Sequence, residues 1–319
     1  MGKSARIQAK KRVDLEWAHG GAMSEAFDKW QQSVELERTW EKIRVETLQG
    51  VQDGSITPNK ILSISSDAKT VKGEKNGILT AICYMLPADS SGITLSKTGT
   101  LLNLCPYASP ACSEVCLVSA GRGSTAFDGA LNFAVRKARL IRTAYWHYHP
   151  EKFNAQLQKE IDAAKRKAKR QDMRLAVRLN GTTDIMWERV STVIQDNPET
   201  TFYDYSKIPQ RFRKNLPENY SLTFSRSETN EAELQQNLDN GRNVAVVFST
   251  RKGQPLPDTY EVNGKNYAII DGDESDDRTR DPKGVIVGIR AKGDAKHDTS
   301  GFVVQVQFYS IENQQIAFV

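Results

Sequence analysis

Long apolar runs, cysteines, histidines and nucleotide-loop motifs are all scarce or missing in this chain of 319 residues. No stretch approaches the roughly 18 uninterrupted apolar residues a spanning helix requires, so no membrane association is expected. The opening Met1-Gly2-Lys3-Ser4 is not followed by an apolar signal core, and a cytoplasmic location is expected. Only four cysteines are present, and three of them fall between positions 105 and 116. That is no secreted disulfide scaffold, and it suits reduced thiols engaged in metal or redox chemistry. Four histidines support no Ser/His/Asp triad, and Gly121-Arg122-Gly123 lacks the GxGxxG and Walker patterns. Internal repeats and low-complexity segments are absent as well.

What remains is ordinary globular material, 39% hydrophobic and 26% charged, enough to build a proper core. The formal charge of +5 permits contact with nucleic acid without demanding it. Residues 1 to 22 carry Lys3, Arg6, Lys10, Lys11 and Arg12 without apolar periodicity and read as a loose, solvated arm. From Ala22 to about Gly50, the residues Phe27, Trp30, Val34, Trp40 and Ile43 recur at three- and four-residue steps, predicting an amphipathic helix. Gly50, Asp53-Gly54 and Pro58 end it. The expected organisation is therefore an arm and helix over 1–58 and one large domain over 59–319. The helix packs on that domain by default, or alternatively docks a partner protein.

Beyond residue 60, short β-rich runs alternate with helical segments, the sequence form of β/α units and a largely parallel sheet. Strands are predicted at Thr98–Leu104, Arg174–Leu179, Thr200–Tyr205, Tyr220–Phe224, Asn243–Phe248, Tyr267–Ile270 and Val285–Ile289. Two helices, Thr125–His147 and Glu151 to about Arg170, are separated by Pro150. Several strands run into polar groups: Asn180-Gly181-Thr182-Thr183-Asp184, Asp204 to Lys207, Ser225-Arg226-Ser227-Glu228, Asp271-Gly272-Asp273 and Arg290-Ala291-Lys292. Parallel α/β proteins gather their active-site loops at that edge. Helix caps account for some of these residues but poorly for Lys207, Arg226 and Lys292. Arg226 and Lys207 could hold a phosphate or carboxylate, or pair with Asp204 and Asp184.

The densest chemistry lies in Cys105-Pro106-Tyr107-Ala108-Ser109-Pro110-Ala111-Cys112-Ser113-Glu114-Val115-Cys116, a C-x6-C-x3-C spacing shaped by two prolines. Three thiolates suit an iron–sulfur cluster that leaves one iron without a protein ligand. Structural zinc would need a fourth ligand, from Cys83, His147 or His149, and buried or disulfide-forming cysteines are the third reading. Cys83, inside Ala81-Ile82-Cys83-Tyr84-Met85, reads as a core thiol. The acidic run Asp271 to Asp277 offers hard oxygen ligands for Mg²⁺, and with it a Mg²⁺-dependent nucleic-acid enzyme as an alternative. Arg278 and Arg280 could equally neutralise it.

The runs Asn103 to Ser109, Val177 to Asp184, Leu222 to Asn230 and Ile270 to Asp273 resemble the phage protein family named after gene product 88 of a mycobacteriophage. The resemblance covers roughly residues 60 to 310 and implies a host-cell cytoplasm rather than a reaction. In layout the chain is also similar to radical S-adenosylmethionine enzymes, although their usual spacing is C-x3-C-x2-C. That similarity implies an incomplete (β/α) barrel of about six largely parallel strands, with Cys105, Cys112 and Cys116 holding a 4Fe-4S cluster. It also implies that Asn180, Gly181 and Asp184 grip the methionine end of S-adenosylmethionine. Around this centre we expect Ser225, Asp271 and Asp273 as further cofactor-binding groups and Asp204, Lys207 and Arg226 as catalytic ones. The expected substrate is a nucleotide, nucleic acid or peptide, and the rival is a non-enzymatic, metal-stabilised binder of host or phage machinery.

Overall fold

The computed structural model describes residues 23–66, 68–119, 126–127, 130–213, 215–275 and 277–306. The basic arm, the Gly121-Arg122-Gly123 turn, Asp276 and the side chains of Phe27 and Trp30 lie outside the described residues.

Helix α1 (Met23–Gln52) leads into β1 (Leu62–Ile64), α2 (Ala68–Lys75) and β2 (Ile78–Cys83). After a long loop bearing the short helix α3 (Pro110–Glu114) and the small hairpin β3 (Ala126–Phe127) and β4 (Ala130–Leu131) come α4 (Phe133–Tyr148) and α5 (Pro150–Arg170). The remainder is β5 (Arg174–Arg178), α6 (Trp187–Val190), β6 (Thr201–Ser206), β7 (Tyr220–Ser225), α7 (Glu231–Asp239), β8 (Val244–Phe248), β9 (Thr259–Val262), β10 (Lys265–Asp271), β11 (Ile286–Arg290) and β12 (Val303–Val304).

Ten strands form one sheet in the order β1-β2-β5-β6-β7-β8-β11-β10-β9, with β12 also on β8. From β2 to β8 the parallel strands are adjacent in chain order, as in a barrel, but the sheet is open. Its edges are the antiparallel strands β1, on β2, and β9, on β10, and these do not pair with each other. The expected α/β architecture with a largely parallel sheet is found, with ten strands in one open sheet rather than about six. Strand patterns do not tell a partial barrel from an open sheet.

One face of the sheet carries the helices. Leu79, Ala81, Cys83, Leu175, Val177 and Phe202 share a core with Phe153, Leu157, Ile161, Ala164 and Ala168, the apolar stripe of α5. Leu234 and Leu238 of α7 pack likewise against Phe224, Val244, Val246 and Phe248. The opposite face carries Thr80, Ala176, Arg178, Tyr203 and Thr223, all buried. The segment linking β10 to β11 crosses that face, where Arg174 pairs with Asp277 and donates to Thr279 at 3.1 Å.

β7 meets β8 only through its own last residues, Phe224 and Ser225. β7 pairs with Val244 and Ala245, whereas β12 takes Val247 and Phe248. The predicted strand Thr98–Leu104 is instead a loop with one bridge, Thr94 to Leu101. Leu102 and Leu104 both turn into the core and imitate a strand's period of two. The predicted helix from Thr125 begins at Phe133, capped by the Asn132 side chain accepting from Val135 N at 3.2 Å.

Helix α1 packs on α4. Trp40 is buried under the Arg136 guanidinium, 4.1 Å from the ring centroid, and burying such a side chain contributes about 2–3 kcal/mol. Arg44 donates to Gly92 O at 3.1 Å, and Val51 belongs to the main core. No described helix is long and apolar enough to cross a membrane.

Candidate functional site

The cysteine loop follows β2, the first strand of the parallel run, and arches over the C-terminal strand edge. Met85, Ile93, Leu102 and Leu104 anchor it in the core. The Asn103 carboxamide then accepts from Cys105 N at 2.8 Å and turns the chain outward. Ser109 caps α3, accepting from Cys112 N at 3.2 Å, with Pro110 in the first turn, where its missing N–H is harmless. Glu228, from the loop after β7, accepts from the Ser109 hydroxyl at 2.7 Å and from Ala111 N at 3.1 Å. Ala111 and Val115 pack on Ala291, Ala295, Phe302 and Val303.

The loop after β5 is stitched to the same edge. Gly181 N donates to Cys83 O at 2.9 Å, Thr182 Oγ1 to Met85 O at 2.5 Å and Asp184 N to Leu104 O at 2.8 Å. A Cβ on Gly181 would stand 2.6 Å from Cys83 O, so glycine is needed here for close approach. Cys105 Sγ thereby lies 3.9 Å from Thr182 O.

Cys105, Cys112 and Cys116 are partly buried and free of disulfides. Burial pushes the Cys105 thiol up to about 12, and the nearby Cys116, Asp184 and Cys112 push the same way. Cys116 is raised by burial and by Cys112, while Lys207 and Arg139 pull it back. The three thiols therefore feel one another, with two cations in range. Cys105 and Cys116, held protonated in this way, are poor free nucleophiles at neutral pH.

A single zinc ion at ~2.3 Å from each thiolate would draw the sulfurs to about 3.8 Å apart. Among the described residues, no three His, Cys, Asp or Glu stand close enough together to hold one ion. An iron–sulfur cluster attaches each cysteine to a different iron, so its thiolates stand farther apart than those on a single ion. Of the fourth zinc ligands considered, Cys83 is wholly buried in β2 and His149 Nε2 bonds Val51 O at 2.7 Å.

Beneath the rim, Asn180, Asp184 and Asp204 form one buried polar network. Asp204 accepts from Asn180 N at 2.8 Å, Asn180 Nδ2 at 3.1 Å and Tyr220 OH at 2.8 Å. Asn180 Oδ1 accepts from Thr183, Ile185 N and Trp187 Nε1, so this side chain is spent on shaping its own loop. Asp184 accepts from Ser206 Oγ at 2.7 Å and Lys207 N at 2.8 Å. Arg211, fully buried, reaches Glu188 at 2.8 Å, Tyr220 OH at 2.6 Å and Asp184 at 3.3 Å. Burial pushes Asp204 up to about 6 against the pull of Arg211 and Arg178, and it also raises Asp184.

The other expected groups are divided. Lys207 Nζ lies 5.5 Å from the Phe302 ring centroid, on the cysteine side. Ser225 ends β7, and its carbonyl accepts from Asn230 Nδ2 at 3.0 Å. Arg226 donates to Gly301 O at 2.6 Å and Phe302 O at 2.9 Å, holding the approach to β12. Asp271 and Asp273 are bridged by Arg290, at 2.7 Å and 3.4 Å, and Lys292 reaches Asp273 at 2.6 Å. A divalent cation there would have to displace two cations. Arg290 and Lys292 thus neutralise Asp271 and Asp273, Arg280 pairs as expected with Asp277 of the same run, and Arg278 pairs with Asp281 beyond it.

Sequence reasoning missed Glu228 as brace of α3, Arg211 as hub of the buried network, and Arg139 near Cys116. Only the Ser109-Pro110 cap had a local signature.

No curated protein and no solved structure is significantly similar to the chain. The sequence profile of the family described as Gene product 88 matches residues 60–306, from just before β1 to just after β12 and across every residue of the cysteine site, and the chain belongs to this phage family.

Proposed function

We propose that the chain is an iron–sulfur enzyme in which Cys105, Cys112 and Cys116 hold a 4Fe-4S cluster with one iron free of protein ligands. S-adenosylmethionine is the small molecule that reaches that iron, and the substrate is a nucleotide, nucleic acid or peptide. The observation that carries this reading is the cysteine loop itself. It follows the first parallel strand, its thiols are electrostatically coupled, and the loops after β5 and β7 brace it at the same sheet edge.

When bound, the cluster would supply single electrons at the strand ends. The chain's own residues prepare that place. Lys207 and Arg139 offset the negative charge of the thiolates, since both act on Cys116. Thr182 and Asp184 close the side next to Cys105. Glu228, through Ser109, fixes the helix that carries Cys112. Arg226 secures the β12 approach, with Phe302 beneath Lys207.

The test is anaerobic purification with iron and sulfide analysis. About four irons per chain are expected. Iron should be lost in Cys105→Ala, Cys112→Ala and Cys116→Ala and kept in Cys83→Ala. Zinc, or no metal, in protein prepared without air would overturn the reading. A cluster whose paramagnetic spectrum ignores added S-adenosylmethionine would remove the cofactor assignment alone.

A further inference from the structure

Helix α5 buries Phe153, Leu157, Ile161, Ala164 and Ala168 and turns the opposite side to solvent. The outermost positions are Lys152, Ala155, Lys159, Ala163, Arg166 and Arg170, all exposed. At 3.6 residues per turn these six fall within about 80° of the helix circumference and span about 27 Å. Four are cations, two are alanines, and none is acidic.

An ordinary solvated helix face mixes signs through pairs three and four residues apart. Of the acidic side chains nearest the stripe, Glu151 is exposed at the N-terminal turn and the other two are engaged. Glu160 accepts from Ile61 N at 2.9 Å and Leu62 N at 2.8 Å. Asp162 accepts from Gln158 at 3.0 Å and sits 3.7 Å from Lys165. Helix α2, tied to α5 by Lys167 and Glu74 at 3.9 Å, adds exposed Lys72 and Lys75.

We propose that this stripe of α5 is a docking surface for the phosphate backbone of duplex DNA. Exposed alanines between the cations let a backbone approach closely. A membrane-surface helix would need large apolar side chains beside its cations, and the stripe has none. A single-strand site would need aromatic platforms, and it has none of those either. A straight, rigid row of charges matches a rigid duplex. The inference is independent of the cysteine centre.

The experiment is fluorescence anisotropy of a short labelled duplex with the full chain, from about 50 to about 200 mM salt. The triple variant Lys152→Gln, Lys159→Gln, Arg166→Gln should bind at least about tenfold more weakly, with a salt slope shallower by about 2.7, or about 0.9 per lost contact. The double variant Lys159→Gln, Arg170→Gln should lose about 1.8 of slope. A control with the same charge change at exposed Lys252, Lys265 and Lys283 should bind like the unaltered chain. Circular dichroism checks that the helices persist. Absent binding at the lowest salt, unchanged binding in the triple variant, or an equal loss in the control would each overturn the proposal. So would tighter binding to single strands or to anionic vesicles.

Discussion

Two strand ends carry the same local signal, an amide or carboxylate residue followed by glycine and further polar groups, yet they became different things. At the end of β5, Asn180-Gly181 leads to Asp184 in a network buried against the core, where Arg211 serves Asp184 and Glu188 directly and Asp204 through Tyr220. At the end of β10, Asp271-Gly272-Asp273 stays nearer solvent, with Arg290 and Lys292 for its two carboxylates. The ratio of cations to carboxylates and the depth of burial separate them. Burial raises Asp204 to about 6. At Asp273 burial pushes upward too, but Lys292 and the Arg290 amide and guanidinium together win and hold it below 3.8.

The largest expected effect is at the buried hub. Arg211→Met leaves buried carboxylates without their cation and should cost about 3–5 kcal/mol in urea unfolding. Arg290→Met should cost less, because Lys292 remains beside Asp273. Equal losses would abolish the distinction.

The pH dependence should also run in opposite directions. Asp204 has a folded value above 3.8, so its contribution is complete below that value and is lost as pH rises through about 6. The span corresponds to at most about 3 kcal/mol. Asp273 has a folded value below 3.8, so its contribution is present above that and lost as pH falls through the folded value. Stability measured across this range should lose its decline toward neutral pH in Asp204→Asn and its acid loss in Asp273→Asn. Slopes of the same sign would refute the comparison.

A third contrast is steric. A Cβ on Gly181 meets the Cys83 carbonyl at 2.6 Å, whereas one on Gly272 meets first a Val287 methyl at 2.7 Å. Gly181→Ala should cost about 1–3 kcal/mol and disturb the cysteine loop, read by thiol accessibility, because a main-chain carbonyl cannot rotate aside. Gly272→Ala should cost less. Smallest is Lys292→Ala, about 0.5 kcal/mol or less and erased by salt, since the side chain is 48% exposed. A loss that persists in high salt would mean that the outer cluster is as enclosed as the inner one.

Most of the parallel strands were legible because apolar alternation and β-rich composition are local. So was the helix from Glu151 to about Arg170, and so was the Pro150 break, which sits in the first turn of α5. The loop strand failed because Leu102 and Leu104 anchor a loop with a strand's period. Of the site, the cysteines announced themselves by clustering. Glu228 did not, being more than a hundred residues from the helix it braces, and neither did Arg211, one arginine among many.

By itself the sequence determined the alternation of strands and helices, the apolar faces of α1 and α5, the cap at Ser109-Pro110 and the concentration of thiols in one loop. These follow from side-chain period and local backbone chemistry. Only the tertiary structure decided that the sheet stays open, that β12 joins β8 beyond the end of β7, and which carboxylates meet which cation. Those outcomes depend on contacts between residues far apart in the chain, where burial sets the strength of every charge.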